Sequence, residues 1–351
     1  MHNATVLPLH YGKAPRWLYG RMVKLGRAIS LVIMDQFGTD ELLTRLSDTN
    51  WFQALACAIG YDWHSSGTTT VTVAALKDAL NDSGEIYVAG GKGKQGLKTP
   101  EEIVSGTDVL SIPGEAQPFK EYSKIAAKVD SCMVYDGIGI YQHSFLFTKS
   151  KRWAVIQQAM DAKNREAIRF QWLSDLVNKG DVANEPHTGI QTRLHTESAD
   201  LTYSSNGWAR RSLPDALQEC GRVLKSAYPD RHEILKSVDI GERARQAIRS
   251  AAELDPKDYR ELLLTKGVGR TTIRSLAFVA SLIFDKELAY RDPVMFSYNL
   301  GGKDGIPFPV NRSTYDSVIE SMDSVIDAAN IEKEEKIKAM KRLSCAMRGN
   351  A

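Results

Sequence analysis

The segment from Leu262 to Ala277 constrains this chain most, because it fixes a helix, a sharp turn and a second helix within sixteen residues. It runs Leu262-Leu-Leu-Thr-Lys-Gly-Val-Gly-Arg-Thr-Thr-Ile-Arg-Ser-Leu-Ala277. Gly267 and Gly269, one residue apart, let the backbone turn steeply and approach a neighbour with no Cβ between them. The second helix opens at once, so its unpaired N–H groups point into the space beside the turn, where an anion is the natural guest. Arg270, Thr271, Thr272 and Arg274 add donors around that mouth.

An acid follows at a suggestive distance. The apolar run Ser275–Phe284 leads to Tyr290-Arg-Asp292-Pro293, with Asp292 where a helix N-cap belongs and Pro293 at the first helical position. From Leu262 to about Tyr298 this order resembles the helix-hairpin-helix of the endonuclease III-like DNA glycosylases. The resemblance implies that Gly267, Val268 and Gly269 grip a DNA backbone without reading sequence. It also implies that Asp292 stabilises the cationic sugar or steers the attacking group as a base leaves. Two features depart from it. The strand-cutting members place a Schiff-base lysine second after the last glycine, where this chain has Thr271. Many members bind an iron–sulfur cluster through four close cysteines, whereas Cys57, Cys132, Cys220 and Cys345 stand singly.

At 351 residues the chain is long enough for two domains. Its 43% apolar and 25% charged residues describe a globular protein, and a net charge of +2 makes any DNA contact local. Between Gly207 and Arg291 there are 16 Lys/Arg against 12 Asp/Glu, in keeping with a modest phosphate-binding face. No apolar run reaches the roughly 20 residues of a membrane span. The start, Met1-His-Asn-Ala4, lacks the layout of a signal peptide, and isolated cysteines suit a reducing compartment, so a cytoplasmic location is expected.

Periodicity predicts an α+β chain: a mixed half with a small sheet over residues 1–177, a polar connection over 178–207, and an all-helical half over 208–351 that holds the hairpin motif. Helices are expected over Pro15–Phe37, from Thr39, from a cap at Asn50 to Gly60, from Val71 to Leu80, from Thr99 and over Pro118–Ser131. Strands are expected at Glu85–Ala89, Ser131–Tyr135, Ile140–Phe147 and Trp153–Gln157. Pro214, Pro256 and Pro293 are expected to open helices, and Ile331–Met347 to form a surface helix. The landmarks Leu7-Pro-Leu-His10, Trp51-Phe-Gln-Ala54, Asp62-Trp-His-Ser-Ser66, Gly90-Gly-Lys-Gly-Lys94, Val129-Asp-Ser131, Tyr141-Gln-His143, Gln157-Gln158 and Gly301-Gly-Lys-Asp-Gly305 continue along nearly the whole length. In that order the chain resembles an archaeal and bacterial family known as a domain of unknown function, and the resemblance implies a DNA-repair role such as cleavage at abasic sites.

Several constellations carry chemistry. Gly90–Lys94 follows a strand, and its amides, with Gly91 and Gly93 at the bend, are expected to nest a phosphate beside two ammonium groups. It is not a nucleotide-binding Walker sequence. Lys303 lies in the second Gly-Gly-Lys loop. Scission at an abasic site requires an uncharged amine to attack the sugar aldehyde, so a lysine must be depressed by burial or by neighbouring charge. Lys92 and Lys266 rank first, then Lys77 and Lys94. Asp62 and His64, with Asp136, His143 and His187, would suit an acid–base cluster or a hydrolytic divalent metal, though no ligand rhythm joins them. Trp63, Tyr135, Tyr141 and Trp172 could stack on a base, or belong to the core. These residues lead to a cofactor-free enzyme acting on abasic or base-damaged DNA by lysine β-elimination, with glycosylase activity next. A metal-dependent nuclease and a non-catalytic DNA-structure binder are the alternatives.

Overall fold

The computed structural model describes residues 14–60, 66–132, 139–161, 166–177, 182–191, 200–225, 242–284, 286–289, 325–329 and 332–348. Four helices come first: α1 (Arg16–Phe37), α2 (Thr39–Ser47), α3 (Thr49–Ile59) and α4 (Ser66–Leu80). Gly38, at φ 88°, ends α1 as its position in the sequence implies. The cap of α3 is Asp48 rather than Asn50: its carboxylate accepts from the amides of Asn50 and Trp51 at 2.9 and 2.7 Å.

Strand β1 (Ile86–Lys92) leads through Gly93 to α5 (Lys94–Leu97), α6 (Thr99–Val109) and α7 (Ala116–Cys132). Then come β2 (Gly139–Thr148), β3 (Trp153–Asp161), β4 (Glu166–Leu173) and β5 (His187–Gln191), followed by α8 (Gly207–Leu224), α9 (Glu242–Leu254), α10 (Tyr259–Leu264), α11 (Arg270–Phe284) and α12 (Lys333–Arg348). The five strands form one antiparallel sheet in chain order. The fold is therefore α+β. Ser131, expected to open a strand, is in the last turn of α7 and bonds the Ala127 carbonyl at 2.6 Å. Pro214 is buried inside α8 rather than at its start.

Both faces of the sheet are covered. Phe145, Phe147, Val155, Phe170 and Trp172 face α6–α8 and the helices after them. Val88, Leu146, Ala154 and Ile156 face α1–α4. Each hydrophobic set alternates along its strand, as the pleat requires. The stretch read as a polar connection supplies β5, and Ile190 joins the same core as Leu213, Leu262 and Ile273. Ala339 of α12 is buried in the other core, and α12 packs on α3. The helical C-terminal part is thus fastened to both faces of the sheet rather than set apart.

Glycine positions give a test of this packing. A Cβ on Gly90, where φ is +90°, would lie 2.3 Å from the His143 carbonyl oxygen, while one on Gly20 in α1 meets nothing within 4 Å. In urea unfolding, Gly90→Ala is expected to cost at least about 2 kcal/mol. Gly20→Ala should stabilise by about 0.5–1 kcal/mol. Equal effects from the two would contradict the packing described.

Candidate functional site

Helix α7 is two-sided. Ser123, Ala126 and Asp130, spaced three and four apart, turn toward the sheet, while Glu121, Lys124 and Lys128 turn toward α10 and the glycine turn. Each side makes a different polar structure.

On the sheet side a chain of buried groups crosses four strands. The Gln157 Nε2 amide donates to the Ala126 carbonyl at 3.0 Å and to the Asp130 carboxylate, so its Oε1 is left to accept. The His143 Nδ1 therefore donates to Gln157 Oε1 at 2.7 Å, and His143 Nε2 accepts from the Ser123 hydroxyl at 2.8 Å. Asp130 also accepts from Trp172 Nε1 at 2.9 Å and from His187 Nε2 at 2.5 Å. Neighbouring register brings these partners together: His143 pairs with Gln157 in the β2–β3 ladder and Trp172 with His187 in the β4–β5 ladder. Serine, imidazole, amide and carboxylate in series look like a nucleophile and its base, yet Ser123 is 4% exposed and Asp130 2%. The series is a buried framework.

The opposite face carries a second transverse row. Register aligns Lys92, Gln142, Gln158, Arg169 and Gln191 across all five strands. Lys92 is exposed at the edge, with its Nζ 5.8 Å from the centre of the Tyr141 ring. Gln158 donates to the Tyr141 hydroxyl and, at 3.1 Å, to the carbonyl of Ser66, the first residue of α4. Arg169 is fully buried, with its guanidinium 4.8 Å from the Phe52 ring centre; burial pulls its pKa down to about 9.

The expected phosphate nest at Gly90–Lys94 takes another form. Gly90, Gly91 and Lys92 pair with β2, the Gly90 amide donates to Glu102 at 2.6 Å, and the Gly93 amide donates to the Tyr141 carbonyl at 2.7 Å. Amides engaged in this way do not converge on a ligand. Lys77 is likewise spent inside the fold, 2.5 Å from the Glu102 carboxylate and 3.0 Å from the Gly90 carbonyl. Lys94 is exposed at the start of α5.

The segment beyond α10 turns at Gly267, where φ is +87°, and α11 begins at Arg270. Val268 is buried and anchors the turn, while Lys266 and Gly267 are exposed. Lys124 donates to the Leu264 carbonyl at 2.8 Å, and Lys128 to Val268 at 2.7 Å and Thr265 at 3.4 Å. These ammonium groups satisfy carbonyls left open at the end of α10. Burial is the largest influence on Lys128 and pushes its pKa below the usual lysine range, helped by Lys124. On the turn's open side, Gly267, Gly269, Arg270, Thr271 and Thr272 share a depression of about 550 Å³ with Glu242, Arg243 and Ala244 from the first turn of α9. Arg274 is half-buried on α11.

His143 and His187 are brought to one framework, with both ring nitrogens of His143 engaged by Ser123 and Gln157 and Nε2 of His187 by Asp130. Asp62, His64, Asp136, Asp292 and Lys303 lie outside the described residues, as do Trp63 and Tyr135. Trp172 is 1% exposed and belongs to the core. Sequence reasoning did not single out Lys128 or Arg243. The spacing of Lys124 and Lys128 marks one helical face, but only the tertiary fold places that face against the turn.

Burial pushes the His143 imidazole below the usual histidine range, against the opposing influence of Gln157 and Asp130. The folded chain then excludes a proton that the unfolded chain would bind. The stability this gives is complete above the unfolded value of about 6.5 and is lost as pH falls from there toward the depressed folded value. Thermal melting should fall between about pH 7.5 and about pH 5.5, and His143→Gln should flatten that fall. An equally steep decline in the variant would show that His143 is not the group responsible.

No solved structure matches this chain, nor does any curated protein. Among the described residues no helix is long and apolar enough to cross a membrane. The model of one family, described as a protein of unknown function (DUF763), matches residues 3–310. That span includes the glycine-rich strand end, both transverse rows of the sheet, α7 and the turn at Gly267, so this chain belongs to the DUF763 family.

Proposed function

We propose that this protein is a DNA-repair enzyme that holds the phosphodiester backbone at Gly267–Arg274 and cuts the strand at abasic sites through a lysine. The carrying observation is the depression in which first-turn residues of α9 and α11 meet. The positive ends of two helix dipoles favour an anion there, and Arg243 and Arg270 outnumber the one carboxylate, Glu242. Gly269 supports the same reading, because it has neither a left-handed φ nor any neighbour within 4 Å of a Cβ built on it. The fold itself gives no reason for glycine at that position, whereas a backbone passing closely outside would.

In this reading the strand is held by contacts to phosphates, so binding is independent of sequence and weakens with salt. An abasic site leaves no base to unstack, which lowers the cost of exposing the sugar. The amine attacks the open-chain aldehyde and water leaves, giving an iminium. Loss of a C2′ proton to water then expels the 3′ phosphate, and hydrolysis returns the amine. This route needs neither metal nor nucleotide cofactor. Asp292 is the proposed group that steadies the positively charged sugar, and removal of a damaged base by the same acid is the accompanying glycosylase activity.

Incubation of the protein with an abasic-site duplex in EDTA and borohydride tests the reading. Strand cleavage and a covalent protein–DNA adduct are expected. Cleavage that vanishes in EDTA and leaves no adduct would replace this reading by a metal-dependent nuclease. Binding with neither cleavage nor adduct would leave a DNA grip alone.

A further inference from the structure

We propose that Lys128, reaching from α7 to the Val268 carbonyl at the glycine turn, is the amine that attacks the abasic sugar. This assignment rests on the reading above and goes beyond it by naming a residue that the sequence did not single out. Three observations carry it. Lys128 touches the turn itself, its ammonium group 2.7 Å from the carbonyl oxygen of Val268, the residue between Gly267 and Gly269. It is half-buried, and among the described residues no carboxylate pairs with it. Burial, the largest influence, and Lys124 one turn back on α7 both work against its ammonium form, while the Cys132 thiol works the other way.

The other lysines are placed differently. Lys77 is held by Glu102, Lys92 sits over Tyr141 at the edge of the face turned toward α4, and Lys94 opens α5. Lys266 is adjacent to the turn but exposed. Partial desolvation is what chiefly disfavours an ammonium group, and Lys128, half-buried with Lys124 beside it, has that setting. The Thr265 and Val268 carbonyls hold the resting ammonium in place. On deprotonation that hold weakens and the lone pair is released toward the sugar C1′. The amine nitrogen forms the new bond there, and the aldehyde oxygen leaves as water.

The same duplex and borohydride provide the test, with the adduct digested and its peptide identified by mass spectrometry. The expected cross-linked peptide contains Lys128. Lys128→Arg keeps a cation and a donor for Val268 but cannot form the iminium, so its adduct should fall to background while DNA binding and thermal melting stay near wild type. Lys128→Gln provides a second variant of similar length with the same expected loss of adduct. If the wild-type adduct forms but maps to Lys92, Lys266 or another residue, or if Lys128→Arg still traps, the assignment is overturned and the functional reading stands. If the wild type gives no adduct, the reading itself fails and the assignment with it.

Discussion

A buried carboxylate holds α7 in register on the sheet. Asp130 accepts from Gln157, Trp172 and His187, which belong to three different strands, and it does so from a helix lying across them. Such a group is stable in the interior only while its donors remain in place; loss of partners would leave a buried charge, typically costing several kcal/mol. The arrangement therefore fixes the rotation of α7 about its axis as well as its position on the sheet. Because the helix is rotationally fixed, the residues on its outer side are also fixed. Glu121, Lys124 and Lys128 are presented to Arg260, Leu264 and the turn at Val268 as a consequence.

The glycine turn gains its rigidity in the same way. Val268 is buried beneath it, two ammonium groups bind the carbonyls around it, and Asp258 caps the short α10 by accepting from the Glu261 amide at 2.8 Å. A six-residue helix has little stability of its own, so these tertiary contacts hold it. Held by these contacts, and by the Val268 amide donating to the Thr265 carbonyl, the turn leads into α11 with a fixed shape. Preorganised donors lose little further freedom when an anion arrives.

Much of the helical framework was legible in the sequence. Gly38 closes α1, Thr99-Pro100 opens α6, and the apolar spacing of α7 matches its buried side. Strands were harder to read. β4 alternates Ile168, Phe170 and Trp172 with Arg169 and Gln171, a pattern that ordinarily marks one wet face, yet both faces are covered. β5 is five residues within a polar stretch and exists because β4 offers it an edge. The glycine run after β1 suggested a ligand loop, but a left-handed Gly90 packed on the His143 backbone serves the sheet instead.

The site was legible in part, for a physical reason. A turn and the helix that follows it are local, so Gly267–Arg274 could be found by spacing. Lys128 is about 140 residues away from that turn, and its spacing from Lys124 marks only a helical face. Its significance arises only where α7 meets α10. The series Ser123, His143, Gln157 and Asp130 shows the opposite hazard. Residue types that carry chemistry elsewhere here satisfy one another in the dark, where no substrate can reach them.

The central claim is that the depression between α9 and α11 holds phosphates, and the salt dependence of DNA binding measures this directly. The slope of log K against log salt counts the phosphates neutralised. In the double variant Arg243→Gln with Arg270→Gln, the account predicts a slope shallower by about 2 and weaker binding at low salt. An unchanged slope with unchanged affinity would contradict it, and would place the DNA on another face of the protein.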